Sequence, residues 1–105
     1  MDIVINPNES SGVTGVICIG RFDAHEVDTA RAAFADINAG GVFDIDVLLS
    51  GVPFIDSAGL AELVRAMKHC REGGGDLRIV APSDPVRIIL ELTGLVKAFV
   101  VSSGP

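Results

Sequence analysis

The chain has 105 residues, enough for one compact domain with a real core and too few for two, so a single domain over residues 1–105 is expected. Hydrophobic residues make up 49% of it and five Phe are its only aromatics, which excludes a disordered chain and predicts an aliphatic core. Eight basic against fourteen acidic residues give a net charge of −6, which repels phosphate backbones and anionic lipid, so neither nucleic acid nor a membrane surface is an expected partner.

Residues 2–6 and 14–20 are rich in Val and Ile, and Pro7, Asn8 and Ser11-Gly12 between them supply turn chemistry, which predicts an opening hairpin. From Asp23 the spacing changes. Val27, Ala30, Phe34 and Ile37 put one apolar stripe on a helix, Asp23 with Glu26 resembles a capping box, and Gly40-Gly41 ends the element. Ile45, Val47, Leu48 and Leu49 form a nearly continuous apolar run, as expected of a strand covered on both faces.

Next comes the stretch Val52-Pro53-Phe54-Ile55-Asp56-Ser57-Ala58-Gly59-Leu60, where the strand gives way to a second helix. In that helix Leu60, Leu63, Val64 and Met67 make the apolar stripe, and Glu62, Arg65, Lys68 and Arg71 take the other face until Gly73-Gly74-Gly75. Those glycines follow a helix and precede no Lys-Ser or Lys-Thr, so they do not read as a phosphate loop. Leu77 to Ala81 predicts another strand. Ser83-Asp84-Pro85 starts a third helix with an acidic cap, Val86, Ile89 and Leu90 face its core, and Gly94 closes it. A short strand near Ala98 to Val101 and a polar tail complete the chain. The expected class is α/β: a small, mostly parallel sheet with an opening hairpin, alternating helices and right-handed crossovers.

Few groups are available for chemistry. His25 and His69 lack HExxH or His-Cys companions, so neither a metal nor another cofactor is expected. Cys18 and Cys70 lie in a strand and a helix, far apart in sequence, and read as small core side chains. No apolar run approaches the roughly 18–20 residues of a membrane helix, and MDIVINPNES lacks the positive region of a signal peptide, so a cytoplasmic protein is expected.

Ser57 has three readings. At the start of a helix its hydroxyl is placed as a cap. As a nucleophile it lacks an evident base, and the flanking Ile55-Asp56 and Ala58-Gly59 do not make a G-x-S-x-G elbow. As a modified residue it would put a phosphoryl group at the positive end of a helix dipole.

The combination of Gly20-Arg21-Phe22-Asp23, the run Leu49-Ser50-Gly51-Val52-Pro53-Phe54-Ile55-Asp56-Ser57-Ala58-Gly59-Leu60 and Leu92-Thr93-Gly94-Leu95 resembles the STAS domain, and within it the bacterial anti-sigma factor antagonists. The resemblance covers essentially the whole chain. It implies a non-enzymatic partner switch in which the unphosphorylated protein binds an anti-sigma factor serine kinase and releases the sigma factor. Phosphorylation then weakens binding, and a PP2C-type phosphatase reverses it. By position the modified residue is Ser57, and the partner surface comprises Asp23, Asp56, Ser57, Ala58, Gly59 and the exposed Glu62. The chain departs from the family where Arg21 stands in place of a Glu and Leu48 in place of an Asp or Asn. The alternative is a STAS subunit that only docks, in a stressosome-like or transport complex, with Ser57 as a helix cap. No coiled coil or long apolar edge is evident, so a monomer is expected when free.

Overall fold

The computed structural model describes residues 1–103. Its hairpin pairs β1 (Asp2–Asn8) with β2 (Val13–Ile19) antiparallel, from Asp2 opposite Ile19 to Asn8 opposite Val13. Pro7 is tolerated inside β1 because that strand is the sheet edge. A short 3-10 turn at Ala24–Glu26 leads into α1 (Val27–Ala39), followed by β3 (Asp44–Gly51), α2 (Ser57–Glu72), β4 (Asp76–Val80) and α3 (Asp84–Leu92). A second 3-10 turn at Leu95–Lys97 precedes β5 (Val100–Ser102). The polar tail expected after it lies, at 104–105, outside the described residues.

The strands lie in the sheet in chain order, and every pairing after the hairpin is parallel. Each right-handed crossover therefore steps one strand in the same direction, which puts all three helices on one face. Burial follows that rule. Val16, Cys18, Ile45, Val47, Leu49, Leu77 and Ile79 are buried beneath Ala30 and Phe34 of α1, Leu63, Ala66 and Met67 of α2, and Val86 and Leu90 of α3. Each Val, Leu, Ile, Met or Phe among them contributes about 1.5–3 kcal/mol relative to exposure. Ile17, Asp46, Leu48, Arg78 and Val80, on the alternate face, stay partly exposed. β3 is thus buried on one face only: its apolar run reflects Leu48 on the helix-free side, not a second covering layer.

Local signals place the helices within a residue or two. The expected capping box at Asp23 does not form, because the Glu26 carboxylate accepts from the Met1 amine at 3.0 Å and not from the Asp23 N–H; the Glu26 N–H donates to the Asp23 carbonyl at 2.9 Å. Asp23 still caps, its Oδ1 accepting the His25 N–H at 3.0 Å. At α3 the cap is Ser83 and not the acidic Asp84. The Ser83 N–H donates to the Leu49 carbonyl at 3.2 Å and its hydroxyl to the Val52 carbonyl at 2.5 Å, which holds Ser83 extended as helix begins.

Candidate functional site

The carboxyl ends of β2, β3 and β4 open on one end of the sheet, where ligand and partner sites of parallel sheets gather. Beyond the regular strands, the two chains leaving β2 and β3 stay paired. Gly20 N–H donates to Gly51 O at 2.9 Å, Phe22 N–H to Phe54 O at 2.9 Å, and Asp56 N–H back to Phe22 O at 3.2 Å. Phe22 and Ile55, bridged in parallel, point into the core. By the alternation of extended chain, Arg21, Asp23 and Phe54 take the outer side.

That ribbon fixes the start of α2. Because its N–H is held by Phe22, Asp56 remains extended (φ −103°, ψ −177°) and is the last residue before the helix. Its Oδ1 accepts the Gly59 N–H at 2.9 Å and its Oδ2 the Ala24 N–H at 3.0 Å. The Gly59 N–H holds this carboxyl below the usual aspartate range; desolvation opposes it and the Ala24 N–H adds to it. One side chain therefore caps α2 and ties it to the turn before α1.

Ser57 is consequently not the cap. It is the first helical residue, exposed, and its hydroxyl makes no hydrogen bond among the described residues. The nucleophile reading finds no support in geometry either. His69 lies about 18 Å further along the axis of α2, by helix rise. His25 is exposed and, among the described residues, donates only through its backbone N–H to Asp23. Of the orphan donors at the start of α2, the Gly59 N–H is already taken by the Asp56 side chain, and the Leu60 N–H makes the first intrahelical bond, to the Asp56 carbonyl.

Two residues expected on the exposed surface lie inside. Gly59 is buried, and a Cβ there would stand 2.5 Å from the Phe22 carbonyl oxygen and 2.9 Å from Ile55 Cγ1, so glycine is what lets α2 approach the ribbon. Glu62 is 1% exposed. It accepts from Arg31 Nε at 3.0 Å on α1, and from Arg65 Nε at 2.8 Å and Nη2 at 2.6 Å on its own helix. The two guanidiniums stand between its carboxylate and solvent, so Glu62 joins α1 to α2 and presents no surface. Ala58 is half-buried and Asp23 and Asp56 are partly exposed, leaving Ser57 the most open member of the group.

Beside them lies a pair that pattern reading overlooked. Arg21 Cζ sits 4.2 Å from the centroid of the Phe54 ring, and its Nε lies 3.6 Å from Asp23 Oδ2. Phe54 is 39% exposed, so one part of its ring is open to solvent beside the guanidinium. The register of the ribbon would have revealed the pair, since Phe22 opposite Ile55 makes Arg21 and Phe54 neighbours. No helix among the described residues is long and apolar enough to cross a membrane.

Comparison with known proteins agrees with this geometry. The model of the STAS domain matches residues 5–103. The anti-sigma-B factor antagonist of Staphylococcus aureus is 29% identical over 85 residues, covering 81% of this chain and 79% of that protein. Among solved structures, an anti-sigma factor antagonist from Mycobacterium paratuberculosis superposes with a TM-score of 0.84 at 25% identity, covering 96% of this chain and 84% of the other. The Bacillus cell fate determinant SpoIIAA in its phosphorylated form superposes with a TM-score of 0.73 at 19% identity, covering 95% and 90%.

Proposed function

The chain belongs to the STAS domain family, and from that premise we propose that it is an anti-sigma factor antagonist operating a cytoplasmic partner switch. Unphosphorylated, it binds an anti-sigma factor that is also a serine kinase and so releases the sigma factor. The kinase transfers the ATP γ-phosphoryl group to Ser57 Oγ, the hydroxyl proton leaves, and binding weakens. A PP2C-type phosphatase restores the free hydroxyl. The protein is a substrate of both enzymes and catalyses neither step.

The observation that carries this reading is the Ser57 hydroxyl: exposed, without a hydrogen bond among the described residues, and set on a helix start that Asp56 has already capped. A subunit that only docks has no use for such a hydroxyl, and the cap that would have explained it belongs to the neighbouring residue. Phosphorylation adds a charge of about −1.5 to −2. At a surface that already holds Asp23 and Asp56, that charge repels a partner fitted to the neutral form, and about 1.4 kcal/mol of lost binding is a tenfold loss of affinity. The family likeness to a fold described in a phosphorylated form lends further support.

The deciding experiment is intact-protein and peptide mass spectrometry on the protein isolated from its host under several growth conditions. Phosphoserine at position 57 whose occupancy varies with condition is the expected result. In binding assays Ser57→Ala should retain the kinase and resist modification, and Ser57→Asp should bind more weakly. A Ser57 that stays unmodified while the kinase is active would replace the switch with a docking role.

A further inference from the structure

A phosphoryl group on Ser57 meets a surface only partly prepared for it. The Gly59 N–H is committed to the Asp56 carboxylate, which the Ala58 N–H also favours, so the helix start offers it less than a free N-terminus would. The residue before Ser57, Asp56, and Asp23 on the opposite strand of the ribbon are acids. A dianion there needs a cation from outside the helix.

We propose that Arg21 is that cation: on phosphorylation it leaves its place over Phe54 and beside Asp23 and takes the phosphoryl oxygens of Ser57. The proposal deepens the switch reading and rests on Ser57 as the modified residue. Two observations and one general property of phosphate carry it. Arg21 lies on the outer side of the same ribbon as Asp23 and Phe54, two residues along from the Asp23 that neighbours Asp56, and it already leans that way, toward Asp23 Oδ2. What holds it is weak: a contact of 3.6 Å with Asp23 is too long for a hydrogen bond, and its side chain is 63% exposed. A phosphate, with more charge than a carboxylate and three acceptor oxygens, competes well for a guanidinium because the fork binds it bidentately.

The movement has a consequence at the partner surface. With the hydroxyl free, Arg21 covers one side of Phe54 and balances Asp23. With the phosphate present, Phe54 is uncovered and Asp23 loses its counter-charge. Modification at one atom thus alters the charge and apolar character of the surface beside it.

The test uses the full chain with phosphoserine incorporated genetically at position 57, so no kinase is needed. Phosphorus NMR follows the phosphate titration with and without Arg21→Ala. Carbon-13 labelling of Phe follows the Phe54 ring. Asp23, Asp56 and His25 are present in both proteins, so the difference between them reports the removal of Arg21, including its loss as the counter-charge of Asp23. The expected result is a phosphate titration midpoint raised by about half a unit or more in Arg21→Ala, and a Phe54 shift on phosphorylation that the substitution abolishes. Arg87→Ala, removing the guanidinium beside Asp84 at the start of α3, should leave both readouts in place. A midpoint indifferent to Arg21, a Phe54 ring indifferent to phosphorylation, or an effect of Arg87→Ala in place of Arg21→Ala would each overturn the proposal. Failure to find phosphoserine in the host would count against the switch and leave this measurement as it stands.

Discussion

Asp56 reaches across 32 residues of chain to Ala24, accepting its N–H through Oδ2 at 3.0 Å while Oδ1 caps α2 through Gly59. Asparagine also caps helices well but offers a single acceptor oxygen, so Asp56→Asn should lose either the Ala24 or the Gly59 bond and melt at a lower temperature than the parent at neutral pH. The carboxyl is held below its ordinary pKa in the folded state, so its stabilisation is complete above the unfolded value of about 3.9. It is lost as pH falls through the folded value. The gap in melting temperature between the two proteins should therefore close in acid. A gap constant from neutral pH to pH 2 would show that the charge contributes nothing.

Ser57→Ala separates the hydroxyl from the cap. A surface substitution that breaks no hydrogen bond changes stability by less than about 0.5 kcal/mol, and that is the expected result in a urea titration. A loss near 1 kcal/mol, the usual cost of removing a cap, would return the capping role to Ser57.

Gly59→Ala asks whether α2 must approach the ribbon so closely. The added methyl carbon would meet the Phe22 carbonyl oxygen at 2.5 Å and Phe22 Cδ1 at 2.8 Å. Because a backbone carbonyl yields less readily than a side-chain end, overpacking should cost about 1–3 kcal/mol. The Ala24 amide, whose acceptor would be pushed away with the helix, should exchange faster with solvent. An unchanged denaturation midpoint would mean that the helix shifts freely and that the ribbon does not set its position.

The fold was largely legible because period and punctuation agreed: apolar residues three and four apart in each helix, turn residues at each joint, and alternating strands after a hairpin. What remained hidden depended on neighbours distant in sequence. Ser and Asp both cap helices, so residue type could not choose between Asp56 and Ser57, or between Ser83 and Asp84. The choice is made by which N–H the adjoining chain holds, that of Asp56 by Phe22 and that of Ser83 by Leu49. The single-faced burial of β3 follows from strand order, which local pattern does not contain. Glu62 did leave a signal, since it falls in the buried series Gly59, Leu63, Ala66, Met67 and Cys70. Only its charge suggested the outside, and Arg31, on another helix, is part of what makes the inside tolerable.

That arrangement predicts an asymmetry between Glu62 and its partners. Arg31 and Arg65 are partly exposed and Glu62 is not, so Glu62→Gln leaves two cations that water can solvate and should cost about 1 kcal/mol. Replacing both arginines by Ala strands a buried carboxylate without a counter-charge and should cost about 3 kcal/mol. Chemical denaturation of the two variants decides the matter. Equal losses would mean that water reaches the carboxylate once the arginines are gone.

The two cysteines provide a last test, of the core itself. Burial raises the Cys18 thiol to about 12 and raises Cys70 as well. Since the thiolate is the reactive form, burial suppresses the reactive form of Cys18 even before access is considered. Cys18 lies under the helices in the central part of the sheet, and Cys70 on the buried side of α2 with its sulfur beside the Asn38 amide at 3.8 Å. Neither can meet a reagent without opening of the surrounding packing. Labelling of both thiols by a water-soluble disulfide reagent should therefore be slow in the native protein and immediate in urea. Its native rate should follow global stability across the Gly59 and Glu62 variants. Rapid labelling of Cys70 alone would instead identify the C-terminal half of α2 as a region that opens locally, independently of the helix start that carries Ser57.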